Sequence, residues 1–222
     1  MKQIFLRMII MITIIFSCLV WEEKVFMSTG GVYVGLAICS DSSTMYSNSS
    51  QQVQENFGHH AWIALTNMGR AEIKLNGILI PIGKTITVGT WHGGLHDGIF
   101  YNLERYYAEK NEFSKTESVY QVQLLQDFQL NLVLSELNNL SNDTWKLHNN
   151  CASFATRIWN LNAKTKISAG LIHCPANLSK NILKEGGRNG LILSSHGMGY
   201  YYYGKNPKAF VPKEKNYQKS IT

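Results

Sequence analysis

Asn149-Asn150-Cys151-Ala152-Ser153-Phe154-Ala155-Thr156-Arg157-Ile158-Trp159-Asn160-Leu161 is the stretch on which the reading turns. Either asparagine suits the N-cap of a helix, and Phe154, Ile158 and Leu161 then recur at i, i+4 and i+7, the stripe of a helix with one buried face. Cys151 falls in the first helical turn. Unpaired backbone N–H groups and the positive end of the helix dipole stabilise a thiolate there, so the position suits a nucleophile. The competing reading is a small buried residue that packs the helix start.

A thiolate nucleophile needs a base or an ion-pair partner. Upstream, Gly58-His59-His60-Ala61-Trp62-Ile63 leads into a strand, and a histidine on a rigid sheet can reach a helix-borne sulfur as Cys-His catalysis requires. Two neighbours compete for the role. Strand parity groups His59 with Ala61, Ile63 and Leu65, and His60 with Trp62 and Ala64. Alternation does not choose between them if both faces are covered.

The surrounding pattern is β-rich, then helical. Strands are expected over Val32 to Ile38, Ala61 to Leu65, Ala71 to Leu75, Ile78 to Ile80 and Thr85 to Trp91, with Asn76-Gly77 signalling a type I′ hairpin. Tyr120, Val122 and Leu124 alternate in a further strand. It leads into an amphipathic helix from Gln126 to Asn139, whose apolar residues include Phe128, Leu132 and Leu137. A short helix opens at Pro175 and runs to Lys184. Tyr200 to Tyr203 suit a sheet edge or packing.

The 222 residues carry 45% hydrophobic and 16% charged side chains and a formal charge of +6. That composition argues against intrinsic disorder and favours one domain with acidic partners such as nucleic acid, anionic lipid or anionic cell-wall polymer, among which charge alone does not choose. Cys18, Cys39, Cys151 and Cys174 are widely spaced, which argues against a structural zinc site and against a disulfide-built scaffold. His96 with Asp97, His173 with Cys174, and Ser194-Ser195-His196 lack the context of a metal site or a serine nucleophile.

His60-Ala61-Trp62-Ile63 followed by the Asn150-Cys151-(x)2-Phe154-Ala155 helix start resembles the circularly permuted papain-like thiol hydrolases, relatives of NlpC-type cell-wall peptidases and lecithin:retinol acyltransferase-like proteins. The resemblance spans roughly Gly58 to Leu183. It implies an α+β fold in which an antiparallel sheet packs against the cysteine-bearing helix. It also implies Cys151 as nucleophile, His60 as base with His59 as rival, and a third polar residue on the strand after the histidine strand, where His92 or Thr90 fits. The hairpin between Asn67 and Thr85 departs from the compact family pattern. Trp62, Trp91, His148 and Asn150 flank the pair and are the expected substrate contacts. No metal or other cofactor is required.

The N-terminus carries Lys2 and Arg7 before an apolar run from Met8 to Val20, too short for the roughly 20 apolar residues of a membrane span and typical of an export signal. Ile15-Phe16-Ser17-Cys18 loosely resembles a lipoprotein cleavage box, which would attach the chain to a membrane through Cys18. A start at Met27 would instead leave a cytoplasmic protein. The expected organisation is a signal segment over 1–26, a catalytic domain over 27–190 and a Gly/Tyr-rich, basic tail over 191–222. The expected activity is amide hydrolysis in the cell envelope or outside the cell, on peptidoglycan or another peptide rather than nucleic acid. An antibacterial effector of this kind would have a cognate inhibitor protein. The alternatives are a catalytically silent envelope-binding module or lipoprotein, and an acyltransferase or lipid hydrolase.

Overall fold

Val34–Asp41 (β1) is buried at every residue, a pattern that requires both faces of its sheet to be covered. The computed structural model describes residues 33–43, 58–92, 96–140, 149–202 and 207–212. The expected signal segment, Cys18 and Met27 lie outside them, as does His148. β1 pairs antiparallel with His60–Asn67 (β2) and with a strand that the chain reaches much later. Between them come the hairpin Ile73–Leu75 (β3) and Ile78–Ile80 (β4), then Thr85–Trp91 (β5), Gly98–Tyr101 (β6) and the helix Leu103–Glu109 (α1). Ser118–Leu125 (β7), Asp127–Asn139 (α2), Cys151–Asn160 (α3) and Pro175–Lys184 (α4) follow. Arg188–Asn189 (β8), Tyr200–Tyr202 (β9) and Lys208–Phe210 (β10) complete the chain.

Eight strands form one antiparallel sheet in the order β10-β9-β6-β5-β2-β1-β7-β8, and β3 and β4 form a separate ribbon. The architecture is mixed α+β, with four helices among the described residues. Asn76 and Gly77 both have positive φ, 49° and 88°, as a type I′ turn demands. On one sheet face Leu36, Ile38, Ala61, Ile63, Leu65, Ile86 and Val88 join Ala152, Phe154, Ala155 and Ile158 of α3 and Leu178 and Ile182 of α4 in a single core. The other face buries Ala37, Cys39, Trp62 and Ala64 beneath Tyr120 and Leu191 to Leu193. No described helix is long and apolar enough to cross a membrane.

Three expectations need correction. Residues 191–222 are not a separate tail where the structure describes them. Leu191 to Leu193 cover Trp62, and β9 and β10 extend the sheet beyond β6. Helix α2 buries Leu130, Val133 and Leu137, while Phe128 and Leu132 are exposed. The spacing of three and four residues from Leu130 makes one stripe, and Phe128 and Leu132 fall on its far side. Leu161, expected on the buried face with Phe154 and Ile158, is exposed at the C-cap of α3.

Candidate active site

The N-terminus of α3 is built by Asn150. Its backbone is extended, its Oδ1 accepts from the N–H groups of Ala152 at 3.0 Å and Ser153 at 3.2 Å, and its own N–H donates to Ser153 Oγ at 2.7 Å. This capping box satisfies helix-start donors that would otherwise be orphaned. The Asn150 amide also donates to His173 O at 2.6 Å, which ties the start of α3 to the approach to α4. Asn150, expected to touch substrate, is thus a structural cap. Cys151 is the first residue of the helix and is 9% exposed.

His60 opens β2 and is buried. Its Nε2 lies 3.2 Å from Glu104 Oε1, and its side chain also hydrogen-bonds Cys151. With Nε2 facing the carboxylate, Nδ1 is the ring nitrogen left for the thiol. Burial opposes a charge on the ring. The hydrogen bonds to Cys151 and Glu104, and the negative charge of both partners, outweigh it and raise the His60 pKa from 6.5 to about 9. That direction favours the imidazolium, the partner that a thiolate needs.

Alternation places His60 on the face of Trp62, whereas α3 packs on the face of Ala61 and Ile63. The contact with Cys151 is made at the first residue of the strand, round its end, rather than across one face. His59 has a different fate. It packs against Phe113 with ring centroids 4.9 Å apart, and burial and the neighbouring His60 charge lower its pKa to about 4.

Glu104, which the sequence reading missed, is fully buried. Asn102 positions it: the Thr87 N–H donates to Asn102 Oδ1 at 3.0 Å, and the Asn102 N–H returns a bond to Thr87 O at 3.0 Å. Asn102 has φ 68° and stands at the N-cap of α1, a left-handed conformation that asparagine tolerates. Two residues on, Glu104 Oε2 accepts from Thr87 Oγ1 at 2.5 Å. Gly89 leaves the gap in which the pair meets, since a Cβ there would overlap Glu104 Oε1 and lie 2.7 Å from His60 Nε2.

The group that meets the His60 ring is therefore Glu104 and not His92 or Thr90. Trp62 pairs with Gly89, so Thr87, Gly89 and Trp91 share His60's face and Thr90 points to the other. His92 follows the end of β5, half exposed, with Nδ1 3.3 Å from Asp97 Oδ1. Trp62 is fully buried, donates its Nε1 to Ile192 O at 2.9 Å and stacks 5.3 Å from Phe113. It is packing rather than a cleft wall. Trp91 does stand at the site, its ring 4.0 Å from that of His60 and 4.6 Å from that of Tyr107. The signal for Glu104 was available in part: it follows the largely apolar run Ile99-Phe100-Tyr101-Asn102-Leu103, and a buried carboxylate requires a partner.

Among the described residues no cluster of His, Cys, Asp and Glu could hold a metal ion. Comparison with protein-family models, curated proteins and solved structures finds no match to this chain.

Proposed function

We propose that this protein is a cysteine hydrolase of papain-like architecture that cleaves amide bonds through Cys151, His60 and Glu104. One observation carries the reading: a cysteine at a helix N-terminus hydrogen-bonded to a buried histidine whose far nitrogen meets a buried carboxylate. That is the nucleophile, base and orienting group of thiol acyl transfer. The Cys151 sulfur attacks the carbonyl carbon and the π electrons pass to oxygen. The tetrahedral adduct collapses to a thioester as the His60 imidazolium protonates the leaving amine. Neutral His60 then takes a proton from water as the water oxygen attacks the thioester. Release of the acid restores the thiolate–imidazolium pair. Glu104 acts through His60 by fixing its orientation and supporting its charge.

Peptidoglycan peptide is the leading substrate, because the chain's +6 charge suits an anionic cell-wall polymer and its N-terminal pattern suits export. A silent binding module drew its support from the want of a third residue, and the buried contact of Glu104 with His60 speaks for the enzyme instead. Incubation of the full chain with purified peptidoglycan, followed by mass spectrometry of released peptides, tests the reading. Cleavage by the wild type and none by Cys151→Ala is expected. Equal release by both proteins, or by neither, would overturn it.

A further inference from the structure

We infer that the indole N–H of Trp91 binds the carbonyl oxygen of the acyl group while Cys151 attacks it, an assignment that rests on the cysteine-hydrolase reading above. Trp91 Nε1 is buried and has no hydrogen-bond partner among the described residues. The other two described tryptophans are satisfied, Trp62 by Ile192 O at 2.9 Å and Trp159 by Thr165 O at 3.4 Å. A buried donor without an acceptor is costly, and one in an enclosed reaction site is explained by an acceptor that arrives with the substrate.

The helix itself leaves a donor role to be filled. The N–H groups of Ala152 and Ser153 bond Asn150 Oδ1, and that of Phe154 bonds Asn150 O. Of the first four residues of α3, Cys151 alone is left to offer its N–H. An oxyanion formed at the sulfur gains from a second fixed donor, preorganised where negative charge develops. Trp91 is well placed to supply it. It ends β5 beside the first residue of β2, and its ring lies between those of His60 and Tyr107 at 4.0 and 4.6 Å, tilted by 31° and 24°. That sandwich holds the indole plane, so the N–H points along the layer between the two rings rather than into either. The donor is one ring away from the imidazole that binds the thiol.

Two reagents separate this role from mere packing. Iodoacetamide alkylates the thiolate by displacement of iodide and develops no oxyanion. With p-nitrophenyl acetate, sulfur adds to the carbonyl, an oxyanion forms, and p-nitrophenolate departs to leave an acetyl thioester. Trp91→Phe keeps an aromatic ring against His60 while it removes the N–H together with one ring of the indole. We expect its alkylation rate at Cys151 to stay within about twofold of wild type, while acylation slows about 10²- to 10³-fold. The ratio of the two rates on the same sample cancels any change in folded fraction. An unchanged ratio would overturn the inference, whether both rates fall together or neither falls. Cys151→Ala keeps the two readings apart. If it acylates as fast as wild type, the cysteine-hydrolase reading fails; if it is inert and Trp91→Phe acylates like wild type, the Trp91 assignment alone fails.

Discussion

Two histidine–carboxylate pairs in this chain have almost the same length. His60 and Glu104 meet at 3.2 Å with side chains 4% and 0% exposed, and His92 and Asp97 at 3.3 Å with side chains 54% and 71% exposed. Geometry alone would rank them equal. Water separates them: it screens the exposed pair and solvates either partner if the other is lost, whereas His60 is enclosed by protein that includes Cys151, Glu104, Gly89 and an aromatic wall. A buried pair is also constrained by its supports. Thr87 and Asn102 hold Glu104, and Trp91, Trp62 and Phe113 stack round His60. His92, favoured by sequence as the third catalytic residue, has the chemistry of the role without the enclosure.

The comparison can be broken most directly by activity. His60→Ala should lower peptidoglycan cleavage by about 10²- to 10⁴-fold, the usual share of general acid–base catalysis. His59→Ala should fall far less and His92→Ala should be near wild type. Kinetics on the three single variants decide it, and a dead His92 variant beside an active His60 variant would reverse the ranking. Next comes stability. Glu104→Ala leaves a buried imidazolium without its carboxylate and should cost about 3–5 kcal/mol in denaturant unfolding, against about 0–1 kcal/mol for Asp97→Ala. Equal costs would mean that burial does not distinguish the pairs.

A smaller effect is expected at Gly89. Gly89→Ala inserts a methyl group into the His60–Glu104 gap, an overpacking that typically costs about 1–3 kcal/mol, and it should slow iodoacetamide labelling of Cys151. A variant with wild-type melting and labelling would show that the gap is slack. Cys39 is the control in the same labelling experiment. Burial, and then the Glu104 charge, raise its pKa well above the ordinary thiol value, so it should label last.

The pH dependence sharpens the contrast between the adjacent histidines. His60, raised from 6.5 to about 9, contributes stability that is fully present below 6.5 and is lost as pH climbs through 9. His59, lowered to about 4, contributes stability present above 6.5 and lost as pH falls through 4. Melting temperature should therefore decline on both sides, with His60→Ala flattening the alkaline limb and His59→Ala the acid limb. If each variant flattened the other's limb, the two side chains would have been assigned the wrong way round.

Much of the frame was legible without coordinates, because it depends on local pattern. The strand at β2, the type I′ turn at Asn76-Gly77, the Asn150 cap and the helix behind Cys151 each follow from neighbours within a few residues, where propensity and capping act. The phase of α2 was not legible, since Phe128 and Leu132 are as apolar as Leu130 and Val133. Packing into the core beneath the sheet goes with the stripe of Leu130, Val133 and Leu137 and not with the other. The sheet-edge reading of Tyr200 to Tyr203 foreshadowed β9, but β10 was read as tail because a three-residue edge strand carries little signal of its own and gains structure from the strand that it joins.

The site divides along the same line. Sequence by itself determined that Cys151 would stand at the start of a helix and that a histidine would open a strand, since both are properties of short contiguous segments. Only the tertiary structure set His60 rather than His59 against Cys151 and brought Glu104 rather than His92 to its ring. Those outcomes depend on residues far apart in the chain: Thr87, Gly89, Asn102 and Glu104 converge through strand pairing and one left-handed asparagine. Burial set the rest. Whether a carboxylate 3 Å from a histidine holds it charged or merely neighbours it in water is a matter of how much protein surrounds both, and that quantity exists only after the chain has folded.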